Sequence, residues 1–196
     1  MKFTGKELLI ATKNKGKVVE IEKMLSKYGI SLSSAADLDI TEPEETGSTF
    51  IANAELKARY YGKDANMPAL ADDSGLCIEA LDGKPGVHSA RYASELGGFE
   101  NAMQKLGEEL DANPNKKAKF VCALALYLPE SSEIFSFEGE INGTLTFPAR
   151  GDHGFGYDPI FIPNGYDKTF AEIDKDIKQK ISHRADAFEK FIAGCF

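Results

Sequence analysis

The chain has 196 residues, 42% of them hydrophobic, which is a globular composition large enough for one sizeable core and excludes a disordered chain. No apolar run approaches the length of a membrane span, and a formal net charge of −8 excludes a general basic surface for gripping nucleic acid. An anionic ligand must be met by a local cluster of cations, by a metal ion, or by both.

Glu7–Thr12 (ELLIAT) reads as a short buried strand. A helix follows over Lys15–Tyr28, with Val18, Ile21, Leu25 and Tyr28 on one face and Gly29 as its stop. Ile30–Ser34 is a second strand, so the chain opens as an α/β unit. Beyond the polar stretch Asp37–Thr46, a second helix starts at about Ser48, capped by Ser48 or Thr49. Phe50, Ile51, Ala54, Ala58 and Tyr61 share one face of it, and Asn53 and Lys57 share another. Pro68–Asp72 is a third strand and Gly75–Ala80 a candidate fourth, followed by a loop over Gly83–Arg91. Phe99–Leu110 has helical spacing, and Lys119–Leu128, the longest apolar run, reads as a central strand. Ser131–Thr146 alternates like a hairpin turning at Asn142-Gly143. A glycine-rich loop over Arg150–Asp158 leads into a short strand, Pro159–Pro163, and Ser182 begins a final helix with Ala185, Phe188, Ile192 and Cys195 facing in. Strands and helices do not alternate regularly, so a simple doubly wound sheet is not expected.

Cys77, Cys122 and Cys195 are widely spaced and include no CxxC pair, which argues against a disulfide framework or structural zinc and fits a reducing compartment. Leu8–Ala11 is too short for a signal-peptide core, so a cytosolic protein is expected.

Four motifs carry chemistry. Thr12-Lys13-Asn14-Lys15-Gly16-Lys17 sits between a strand and a helix, where backbone N–H groups and the helix dipole favour phosphate. It is not a Walker A loop, and a solvated lysine-rich turn is the competing reading. Glu44-Glu45 and Asp72-Asp73-Ser74-Gly75 supply two acidic pairs. Magnesium takes one or two carboxylates plus water and phosphate oxygens, and one carboxylate can also accept a proton from attacking water. Vicinal acids point different ways, so one of each pair is expected to face a site. A loop at Glu44-Glu45 and a strand-end turn at Asp72-Asp73 are the alternatives. Gly151–Asp158 (GDHGFGYD) combines glycines that allow close backbone approach with Phe155 and Tyr157, which can stack on a base. Lys178 and Ser182-His183-Arg184 add donors. Arginine only donates, so it can pair with a purine O6 and not with the adenine amino group; simple helix capping by Ser182 is the alternative. There is no GxSxG elbow, no HExxH and no Cys/His pair at zinc spacing.

In this order, ATKNKGK (11–17), EETGSTFIANAELKA (44–58), ADDSG (71–75), PGVHSARY (85–92), GFGYDPIF (154–161) and SHR (182–184) resemble the inosine triphosphate pyrophosphatase family, its bacterial members most. The blocks run through nearly the whole chain, so residues 1–196 are expected to form one such domain. The resemblance implies an α/β fold with an elongated central mixed sheet flanked by helices, two lobes with the active site in the cleft between them, and a homodimer. It implies a Mg²⁺-dependent cut of ITP, dITP or XTP between the α- and β-phosphates, with no nucleic acid polymer or membrane as partner. By position it makes Asp73 the proton acceptor and a metal ligand, and Glu44 or Glu45 the other acidic ligand. It makes Thr12, Lys13, Asn14, Lys15, Gly16 and Lys17 triphosphate contacts, with Ser74 nearby. Phe155, Gly156, Tyr157, Asp158, Lys178, His183 and Arg184 become the nucleoside-binding set. Two other functions fit the same residues: a phosphatase removing the terminal phosphate, and a binding module without turnover.

Overall fold

The structure is a computed structural model that describes residues 3–38 and 40–196. Met1 and Lys2, at the start of the sequence, and Asp39, in the polar stretch, lie outside the described residues.

The opening α/β unit forms as its periodicity predicts: β1 (Glu7–Ile10), α1 (Lys15–Leu25) and β2 (Ser31–Ser34). Asn14 caps α1, its Oδ1 accepting from Lys17 N at 3.2 Å. The helix tightens into a 3-10 turn over Ser26–Tyr28 and stops at Gly29, whose φ of 68° is the left-handed conformation that terminates helices. Thr49 caps α2 (Phe50–Ala65), accepting from Ala52 N at 3.1 Å.

The middle of the chain departs from expectation in three places. First, one strand, β3 (Ala69–Ile78), replaces the two short ones, so Asp72 and Asp73 lie in mid-strand and not at a strand end. Ser74-Gly75 are turn formers by type, but burial along nearly the whole strand overrides that preference. Second, the loop at Gly83–Arg91 is shorter than expected, because α3 (Ser89–Glu95) begins inside it; α4 (Phe99–Leu110) and β4 (Lys117–Leu128) follow. Third, β5 (Glu133–Leu145) runs straight through Asn142-Gly143. The turn is at Pro129–Ser132, before β5. Gly143 is there for a different reason. It sits opposite Pro163 of β6 (Phe161–Pro163), which pairs antiparallel with β5. An added Cβ at 143 would press on the carbonyl of Ile162 and meet Phe161 Cζ at 2.7 Å.

A further helix, α5 (Lys175–Ile181), had no counterpart in the periodicity reading; Asp174 caps it. Ser182 caps α6 (His183–Cys195), accepting from Ala185 N at 3.2 Å. Phe188 and Cys195 are buried as expected, with Ala187 and Phe191, whereas Ala185 and Ile192 are half-buried.

The strands form one mixed sheet in the order β2-β1-β3-β4-β5-β6, with β1 parallel to both β2 and β3. This is the expected α/β class. The chain divides into two compact units: residues 1–73, 122–139 and 186–196, and residues 74–121 and 140–185. The first is cored by β1, α1, α2 and a set of aromatic contacts that includes Phe188 and Phe191. The second is cored by residues such as Leu76, Leu106, Phe120, Phe161 and Phe170. Among the described residues, no helix is long and apolar enough to cross a membrane.

Candidate active site

Buried charge is costly unless paired, so clusters of it mark places where the fold gives up stability for something else. Among the described residues, each unit holds such a cluster.

In the first unit the cluster is built on β3. Successive strand residues point to opposite faces, and Asp72 and Asp73 accordingly have partners on different helices. Lys17, in the first turn of α1, pairs with Asp72 Oδ1. Cys122, on β4, donates from Sγ to Asp72 Oδ2 at 3.0 Å. Lys57, on α2, donates from Nζ to Asp73 Oδ1 at 2.8 Å and to Glu45 Oε1 at 2.5 Å. Asn53, one turn earlier on the same buried face, accepts from Gly47 N at 2.7 Å and holds the acidic loop against the helix. Asp73 Oδ2 is buried and has no hydrogen-bond partner among the described residues.

The electrostatics follow. Burial works to lower the Lys57 ammonium's pKa, but the charges of Asp73 and Glu45 outweigh it and push it up to about 12. Lys57 is therefore a cation at neutral pH and no candidate for a base. Burial raises the Asp73 carboxyl above its usual range, against the opposing pull of Lys57 and Lys17. A carboxylate with a raised pKa, one tethered oxygen and one untethered oxygen is suited to accept a proton.

A hard divalent cation would need oxygens from outside this donor set. Among the described residues no three His, Cys, Asp or Glu side chains gather to hold a metal by themselves. Two carboxylates, Asp73 and Glu45, share Lys57, and one Asp73 oxygen is buried and unsatisfied. Asp73 and Glu45 could hold magnesium, which uses one or two carboxylates and takes its remaining oxygens from water and phosphate.

The phosphate-loop candidates separate by exposure. Thr12 is buried and its Oγ1 accepts from Asn14 N at 3.2 Å, fixing the turn. Lys13, Asn14 and Lys15 are exposed, and Gly16 and Lys17 are half-buried.

In the second unit the cluster is cationic and aromatic. Lys178, on α5, donates to Asp158 Oδ2 at 2.6 Å and lies 4.8 Å from the Phe155 ring centroid. Asp158 also accepts from Phe155 N at 2.8 Å. The turn needs Gly154, at φ 79°, because a Cβ there would fall on the Asp158 carboxylate. Arg184 is almost wholly buried, donates to Ser74 Oγ at 3.1 Å and lies 5.9 Å from Phe155. The His183 ring stacks on Phe120, 4.9 Å away and within 17° of parallel.

A model of the Ham1 family matches residues 8–194. The chain belongs to the Ham1 family. A protein of Rhodospirillum centenum named dITP/XTP pyrophosphatase is 51% identical across 100% of this chain and 97% of its own length. One of the same name from Zymomonas mobilis is 49% identical, covering 96% and 91%. The Ham1 protein structures of Staphylococcus aureus and Coxiella burnetii each share 38% identity, covering 96% of this chain and 97% of theirs, with TM-scores of 0.86 and 0.87. The Ham1 fold is thus the one the resemblance implied.

In this Ham1 chain, the expected acidic pair at 44–45 divides. Glu45 reaches Lys57, whereas Glu44 is exposed. The expected base set is brought together in Phe155, Asp158, Lys178 and Arg184. Gly156 adjoins them in a left-handed conformation, its φ 67°. Tyr157 is turned to another use: its ring packs against Phe99 and its hydroxyl donates to Ser89 O at 2.9 Å in the core. Lys57, Asn53, Cys122 and Phe120 were missing from the sequence-derived set. The signal for Lys57 was present, since it lies one turn from Asn53 beside Ala54 and Ala58, where only a paired lysine is tolerated. For Cys122 and Phe120 there was none, because both lie in the apolar run of β4.

Proposed function

We propose that the protein hydrolyses non-canonical purine nucleoside triphosphates, among them ITP, dITP and XTP, to the monophosphate and pyrophosphate. The observation that carries this reading is Asp73: a carboxylate of raised pKa, one oxygen on Lys57 and the other buried without a partner, next to Glu45. The names of the relatives supply the substrate class.

Asp73 and Glu45 would hold Mg²⁺ in this scheme, with Glu44 left in solvent. Bound magnesium supplies charge neutralisation on the phosphate oxygens. Asp73 takes the proton of the attacking water, whose oxygen bonds to the α-phosphorus as the bond from that phosphorus to the bridging oxygen breaks. Lys57 stays protonated and bridges the two carboxylates. Lys17, with the turn Thr12–Gly16, offsets charge along the triphosphate, so that a protein of net charge −8 binds an anion. Ser74, next to Asp73 on β3, fixes Arg184. Phe155 stacks on the base, and Arg184 and His183 donate to its O6. A buried donor aimed at O6 is satisfied by hypoxanthine or xanthine and faces another donor in adenine; such sites discriminate by up to about 10⁴–10⁵-fold in favourable cases. The protein acts as a cytosolic homodimer in this reading, on free nucleotides and not on nucleic acid.

The test is a screen of common and deaminated nucleoside triphosphates with Mg²⁺, read as pyrophosphate released. Preference for ITP and XTP over ATP supports the reading; equal release from all, or none, sinks it.

A further inference from the structure

Asp72 and Cys122 have no part in the chemistry just described. The Asp72 side chain is fully buried in mid-strand, on the opposite face of β3 from Asp73. Both of its oxygens are engaged from different elements: Oδ1 by the Lys17 ammonium from α1, Oδ2 by the Cys122 thiol from β4. A carboxylate held at one oxygen can swing about its Cβ–Cγ bond; one held at both cannot. Lysine carries a long flexible stem and loses rotamer entropy when fixed. An ammonium meant to meet a phosphate gains from having that cost met before the ligand arrives.

We propose that Asp72 and Cys122 are positioning residues that act through Lys17. Cys122 locks the Asp72 carboxylate, and the locked carboxylate holds the Lys17 ammonium at one place for the triphosphate. This rests on the reading that Lys17 contacts the triphosphate. Neither Asp72 nor Cys122 touches substrate. The thiol is a weak donor, yet its acceptor is charged, so its removal is expected to cost about 2- to 10-fold in triphosphate affinity.

The test is a double-mutant cycle on the full chain. Cys122→Ala and Cys122→Ser are made alone and with Lys17→Met. Binding of inorganic triphosphate is measured by calorimetry, and KM and kcat are measured on ITP. Cys122→Ala should raise Kd and KM together by that factor with kcat nearly unchanged, and Cys122→Ser, which keeps a donor, should restore both. In the Lys17→Met background Cys122→Ala should add nothing further. Asp72→Asn, isosteric and uncharged, gives an independent cycle with Lys17→Met if the alanine variant folds poorly. Equal losses in both backgrounds, or a serine variant no better than alanine, overturns the proposal. Absence of ITP turnover alongside a coupled cycle in triphosphate binding defeats the catalytic reading and leaves the positioning intact.

Discussion

Asp73 is held in a state that costs the fold something, and that cost is testable. Its carboxyl is raised chiefly by burial, so ionising it costs more in the folded protein than in the unfolded chain. Asp73→Asn removes the charge and keeps the shape. It is expected to melt no lower than the parent, while turnover falls by about 10²–10⁴-fold, the usual worth of a general base. A clear drop in melting temperature would mean that Asp73 is held for stability. The sign of the pH dependence follows from the same shift. A base must be ionised, so kcat/KM falls as pH drops through a pKa above the ordinary carboxylate value. Lys57 lowers that pKa by its charge, so Lys57→Met should move the acidic limb to higher pH; an unmoved limb would detach Lys57 from Asp73. Arg184→Ala should cut the preference for ITP over ATP by about 10- to 100-fold, the worth of one hydrogen bond to a purine acceptor. Unchanged selectivity would assign base recognition to other residues.

At the scale of elements, the helices were the more legible part. Ile21 and Leu25 in α1 and Ala54, Ala58 and Tyr61 in α2 face the core as the spacing expects, and Thr49 and Ser182 cap where small hydroxyl side chains precede periodic runs. The strands failed where a residue's local preference and its tertiary surroundings disagree. Ser74-Gly75 and Asn142-Gly143 look like turns by composition, yet both lie inside long strands. At Gly143 the reason is the approach of the Ile162 carbonyl, which nothing near 143 in sequence reveals. Gly143→Ala should therefore destabilise by about 1–3 kcal/mol through overpacking of the β5–β6 pair. Were 143 a turn glycine in open space, thermal melts would show little change. α5 escaped because seven residues are too few for a periodic signal, although Asp174 before them was a readable cap.

At the scale of the whole molecule, the acidic loop, the lysine turn and the cationic-aromatic set could be picked out as separate motifs, and their order supported a family. Which residues of each touch one another could not be read. The sequence offered Glu44 and Glu45 as equals, and only the reach of Lys57 separates them. It offered Asp72 and Asp73 as a pair, and the pleat of β3 divides them, Asp73 with Lys57 and Asp72 with Lys17 and Cys122. These assignments concern how a triphosphate is held and where it is cut. The most direct test is to incubate the protein with ITP and Mg²⁺ and separate the products. The account predicts IMP and pyrophosphate in equal amounts; IDP and single phosphate would contradict it.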